Sequence, residues 1–113
     1  MIRRSKHVAI LPLKVCFPGG GVCINETREA ACIREAREEL SITLANLKPV
    51  WQHEFPDRPM ILTGYLATML PGIIHPDPLE IAEVLWLSKS EAIAHPDGLA
   101  TNAMFLAALE QNQ

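Results

Sequence analysis

Positive charge is scarce in this chain: ten lysines and arginines stand against thirteen aspartates and glutamates, for a net charge of −3. Without a basic surplus there is nothing to track a phosphate backbone along its length, so nucleic acid is not the expected partner. Cysteine is scarce as well. Cys16, Cys23 and Cys32 are odd in number and lack the paired spacing of a zinc site, which argues against a disulfide framework and fits a reducing, cytoplasmic setting. No apolar run approaches the ~20 residues of a membrane helix, because prolines and charges interrupt every candidate. Repeats, low-complexity tracts and linkers are missing too. What remains is a 113-residue chain, 49% apolar, which is enough for one core and reads as a single domain over residues 1–113.

Nine prolines punctuate a mixed α/β order. His7 to Leu11 and Val15 to Phe17 read as short strands broken at Pro12, and "PGGG" at Pro18–Gly21 forces a loop. Val50 to Phe55, Met60 to Thr68 and Glu83 to Leu87 carry β-forming residue types, the first two separated by the turn "PDRP". Helical patterns cover Thr27 to Leu40 and Leu99 to Leu109, and Ser88 is placed to cap a shorter helix in "SKSEAIA".

The first helix holds the densest chemistry. With Thr27 as its N-cap, Cys32, Ile33, Ala36 and Leu40 fall on one apolar seam expected to face the sheet. Glu35, Glu38 and Glu39 in "REAREEL" share a neighbouring arc, and Glu35 and Glu39 are a like-charge pair at i, i+4, which costs a helix a few tenths of a kcal/mol. Two readings compete. The cluster is a solvated face in which Arg34 pairs with Glu38, or it is a site for a hard divalent cation, which takes carboxylate oxygens, water and substrate phosphate. The glycine loop leading into the helix favours the second, since it brings backbone carbonyls and amides close to the carboxylates.

These residues resemble the Nudix box: Gly, five residues, Glu, seven residues, Arg-Glu, an aliphatic, any residue, Glu-Glu, any residue, Gly, an aliphatic. Gly20, Glu26, Arg34, Glu35, Glu38, Glu39 and Ile42 occupy its positions in "GGVCINETREAACIREAREELSI", while Ser41 replaces the closing glycine and Cys23 and Asn25 replace a common acid and glycine. "FPGGG" before the box and "EIAEVLWLSKSEA" after it resemble the family's loop entry and its later strand and helix. The resemblance implies an α/β/α sandwich with a mixed sheet. It further implies Mg²⁺-dependent hydrolysis, with Mn²⁺ as a possible substitute, of the diphosphate bond in a nucleoside diphosphate linked to another group.

By similarity, Glu38 and Glu39 are metal ligands, Glu35 joins them or takes the water's proton, and the Gly19 carbonyl is a further ligand. Gly20, Glu26 and Arg34 fix the loop against the helix and orient the carboxylates. Some members add a carboxylate ahead of a late strand; of Asp77, Glu80 and Glu83, Glu80 is the preferred candidate. Trp51, Phe55, Tyr65 and Trp86 read mainly as core, the "HPD" stretches as turns, and Cys23 as a passive residue. A family-like strand segment starting almost at Met1 leaves a sheet edge and the apolar Ile10 and Leu11 to be covered, which leads to the expectation of a homodimer. The rival reading from another class is a catalytically silent nucleotide-binding or regulatory module on the same fold.

Overall fold

The computed structural model describes residues 1–111. Its first sheet is built around β1 (Ile2–Arg4), which pairs antiparallel with β2 (Val15–Cys16) on one side and with β5 (Ile81–Val84) on the other. Ile2 and Val15 are fully buried at its centre, with Cys16, Leu40 and Ile81 packed around Ile2. Val15 also makes a parallel bridge to Gly98. The second sheet is the hairpin of β3 (Leu44–Glu54) and β4 (Ile61–Met69).

Three helices complete the α/β fold: α1 (Arg28–Leu40), α2 (Lys89–Ala94) and α3 (Ala100–Gln111). Neighbouring residues of β4 point to opposite faces, and the hairpin uses both. The Tyr65 hydroxyl donates to Glu29 of α1 at 3.1 Å, whereas Gly64 lies under the Phe105 ring of α3, so close that a Cβ there would come within 2.3 Å of it. The hairpin is thus the filling between α1 and α3. Phe105 also meets Phe17 edge-on and Trp51 at a tilt, with ring centroids 4.9 and 5.8 Å away.

Helix ends follow the sequence. The Thr27 hydroxyl accepts from Ala30 N–H, and Ser88 with Glu91 closes a reciprocal capping box on α2. Ser41 ends α1 in the left-handed conformation, φ 59°, with its N–H on the Arg37 carbonyl.

Several expected boundaries are corrected. His7 to Leu11 is not a strand: Ser5 captures it, its hydroxyl accepting from His7 N–H and its carbonyl from Val8 N–H, and Leu11 and Leu13 take left-handed backbone at φ 52° and 63°. The segment is instead the connection between β1 and β2. The strand lies earlier, at Ile2–Arg4, and both its edges are paired, so the open edge expected near the N-terminal segment is not there. β3 begins at Leu44, not Val50, because a register shift between Pro49 and Trp51 accommodates the proline that lacks a donor. β5 runs over Ile81–Val84, two residues ahead of the expected start. On α1, Ala36 and Leu40 are buried as the seam requires, but Cys32 and Ile33 are only half-buried, and Ala31 and Glu39 take the inner positions. Trp86 stands 76% exposed rather than in the core.

Candidate functional site

Arg34 organises the loop that enters α1. Its Nε and Nη2 donate to the two carboxylate oxygens of Glu26 at 2.8 and 3.0 Å, Nη2 also to the Gly21 carbonyl at 2.9 Å, and Nη1 to Glu35 and Glu38 at 2.9 and 3.1 Å. Glu26 accepts in addition from Cys23 N–H at 3.0 Å. The Arg34 guanidinium holds the Glu26 carboxyl far below the usual range, at about 2. Asn25 makes the turn at φ 66°. One fork-shaped cation therefore fastens a loop to a helix and at the same time aims a glutamate of that helix.

Gly20 and Gly19 sit over the carboxylates. A Cβ built on Gly20 would lie 2.4 to 2.7 Å from the Glu35 carboxylate atoms, so the space a side chain would fill there is taken by that acid. Gly19 N–H donates to Glu39 Oε1 at 3.0 Å. Glu39 is buried, at 5% exposure, and its carboxyl is pushed up to about 7, first by that burial. The Gly19 bond opposes the shift, Glu35 adds to it, Arg4 opposes it and Glu80 adds to it again. Burial therefore outweighs the Gly19 N–H and the Arg4 charge together.

Glu80 arrives through the main chain. Asp77 N–H donates to the Glu39 carbonyl at 2.8 Å and His75 N–H to the Leu40 carbonyl at 2.9 Å, taking up acceptors that the end of α1 leaves free. Asp77 in turn accepts from Glu80 and Ile81 N–H, and Glu80 accepts from Ser5 N–H. Of the three later acids, Asp77 is occupied by Leu79 N–H and Glu83 by Arg3 at 2.7 Å, leaving Glu80 as the one beside the cluster. The "HPD" at 95–97 is a turn, closed by Asp97 N–H on His95 Nδ1.

The structure thus brings together Gly19, Gly20, Glu26, Arg34, Glu35, Glu39 and Glu80, while Glu38 is exposed and turned to Arg34. Among the described residues, no three His, Cys, Asp or Glu side chains are gathered as a metal-holding group. The donor chemistry around Glu39 nevertheless fits Mg²⁺: it is oxygen only, it sets one buried carboxylate beside a second one, and such a cation asks for one or two carboxylates before water and phosphate complete its shell. One residue escaped the sequence reading. Arg4 acts on Glu39 from β1, and the signal for it was strand alternation: Arg3 points to Glu83 and Asp97, so its neighbour points the other way.

A NUDIX domain family model matches residues 1–109. The chain is 44% identical over 54 residues to an 8-oxo-dGTP diphosphatase of Proteus vulgaris, covering 46% of this chain and 48% of that protein. It is 37% identical over 73 residues to the 8-oxo-dGTP diphosphatase of Escherichia coli K12, covering 63% and 57%. It spans about half the length of these curated relatives. Among solved structures, a MutT protein from Methanosarcina mazei Go1 superposes with a TM-score of 0.78 over 99% of this chain and 83% of that one, at 20% identity, a likeness of fold. The chain belongs to the Nudix family. No helix among the described residues is long and apolar enough to cross a membrane.

Proposed function

We propose that the chain hydrolyses the diphosphate bond of a nucleoside diphosphate derivative with the help of Mg²⁺, for which Mn²⁺ can substitute. The observation that carries this reading is Glu39, a buried carboxylate pushed up to about 7 beside Glu35 and under the glycine loop. Glu35, Glu38, Glu39 and the Gly19 carbonyl would hold the cation, Glu38 on release from its ion pair with Arg34. When bound, the cation neutralises phosphate charge and lowers the pKa of a bound water.

The chain's own residues supply the rest. Arg34 and Glu26 keep the loop and Glu35 in one geometry, Gly20 leaves room for the Glu35 carboxylate, and Arg4 offers the cluster a cation to set against substrate phosphate. Glu35 or Glu80 takes the proton of the attacking water. Phosphate release from a panel of nucleoside triphosphates, dinucleotides and nucleotide sugars with Mg²⁺ or Mn²⁺ tests the proposal. Silence of folded protein across the panel would replace it with a silent nucleotide-binding module.

The reading includes a cytoplasmic setting and a homodimer. With both edges of β1 paired, what supports the dimer is apolar exposure on the β1–β2 connection, where Leu11 and Leu13 stand 47% and 51% open. Light scattering over a dilution series tests it, and a monodisperse monomer at high concentration would refute it.

A further inference from the structure

The two sheets treat their edges differently. β1 is paired on both sides, whereas β3 and β4 pair only with each other among the described residues, so each has one open flank. β3 blunts its own flank. It carries Lys48 and Pro49, its register shifts between Ala45 and Lys48 and again between Pro49 and Trp51, and Asn46 turns left-handed at φ 54°. Charge, proline and bulges of this kind keep a strand from accepting another.

β4 has none of these devices. From Met60 to Leu70 the sequence "MILTGYLATML" holds no charged residue and no proline. Ile61, Leu62, Leu66 and Met69 stand between 37% and 46% exposed. Ile61 and Met69 share the face of Tyr65, and Leu62 and Leu66 share that of Gly64, so neither α1 nor α3 covers the flank. The chain as a whole shows the same excess. A folded monomer of its mass, 12.5 kDa, exposes about 6,200 Å², against 7412 Å² for this chain. The surplus of about 1,200 Å² is enough for one side of a stable dimer, which buries about 800 Å² per partner.

We infer that a second copy of this chain adds its β4 to this β4, joining the two hairpins in one four-stranded antiparallel sheet. An uncharged strand is complementary to itself. Antiparallel pairing about a two-fold axis through Tyr65 sets Ile61 against Met69, Leu62 against Thr68 and Leu66 against Gly64, and no like charges meet. The inference rests on the homodimer of the proposed reading and moves its interface from the β1–β2 connection to the hairpin. In that connection the main chain is already engaged: Arg4 Nε donates to the Ile10 carbonyl, Arg3 Nη1 to the Leu13 carbonyl, and Leu13 N–H to the Arg4 carbonyl. Leu11 and Leu13 are left to offer side chains alone, while β4 offers side chains and a row of main-chain donors and acceptors.

The test is sedimentation velocity over a dilution series on the wild type, Leu66→Lys and Leu11→Lys, each first shown to be folded by its thermal melt. Leu66→Lys brings two like charges to the centre of the paired strands and should weaken the dimer at least about 100-fold, whereas Leu11→Lys should leave it within about twofold of wild type. Hydrogen exchange on the wild type gives an independent reading, in which the amides of Ile61–Met69 that β3 leaves free gain protection as the protein passes from monomer to dimer. A dimer that persists in folded Leu66→Lys, or β4 amides that exchange alike in monomer and dimer, overturns the inference while leaving the homodimer reading intact. A wild type that stays monomeric at high concentration overturns both, and protection of its β4 by an added extended peptide would assign the edge to a partner strand instead.

Discussion

Gly20 and the Glu35 carboxylate occupy one space: a methyl group on the glycine would meet Glu35 Cδ at 2.4 Å. The atoms it would strike are the far end of a flexible side chain, so the protein can yield by turning Glu35 aside. Gly20→Ala should therefore leave thermal stability close to wild type and lower turnover by about 10²-fold, the scale of loss for a misplaced catalytic group. Thermal melts and steady-state rates on the same preparation check this. A variant that unfolds early but retains kcat would contradict it.

Gly64 presents the opposite case. Its missing Cβ faces the Phe105 ring, which is itself wedged against Phe17 and Trp51 and cannot swing clear. Gly64→Ala should cost about 1–3 kcal/mol by overpacking. Urea unfolding gives the value, and a cost near zero would mean that α3 rides more loosely on the hairpin than described.

Ser41 sits in left-handed backbone at the end of α1, φ 59°, where the family pattern has glycine. A residue with a Cβ pays about 1–2 kcal/mol in that region, and glycine returns part of the gain through its freer unfolded chain. Ser41→Gly also gives up a 3.3 Å bond to the His75 carbonyl. The net expectation is a stabilisation of about 0.5–1 kcal/mol with unchanged activity, measured by the midpoint of urea unfolding.

Two carboxyl groups shape the pH profile with opposite signs. Glu26 titrates near 2 in the folded chain because of Arg34, below its unfolded value, so its contribution is present above about 4.5 and is lost as pH falls toward 2. The stability gap between wild type and Glu26→Gln should close over that acid window. Glu39 is raised to about 7, so the metal-free protein loses stability from this group as pH climbs from about 4.5 through 7. Glu39→Gln should lack that second dependence and be the more stable protein at pH 8 without metal, with the advantage shrinking when Mg²⁺ is added to the wild type. Urea midpoints across pH, with and without Mg²⁺, read both.

In turnover, Glu39→Gln should lose more than about 10²-fold, since partners of metal ligands alone are worth 10–100-fold. Activity at the wild-type level would remove the metal-site argument.

Much of this was legible in the sequence. The helix from Thr27 to Leu40, its cap and its crowded acids follow from periodicity and residue type, and so does the Ser88 cap, whose reciprocal bond with Glu91 the structure adds. The box residues converge because Arg34 has five donors and the loop offers Glu26 and a carbonyl within their reach. The β1–β2 connection was not legible: Val8 and Ile10 favour strand, and the turn at Ser5 together with the pairing of Ile2–Arg4 with β5, some eighty residues on, decides otherwise. The depth of Glu39 was hidden for a related reason. A helical wheel gives its direction, but burial depends on where Gly19 and the 75–77 segment come to rest, and both are tertiary facts.

The bonds from residues 75 and 77 to the last turn of α1 have an evolutionary corollary. Glu39 and Glu80 are far apart along the chain, yet their separation is set by a short seam of main-chain contacts at one end of the hairpin. The tip of that hairpin, at "PDRP", lies at its other end, so lengthening or shortening it leaves the carboxylate geometry untouched. The hairpin is free to drift in length while the two acids stay in step.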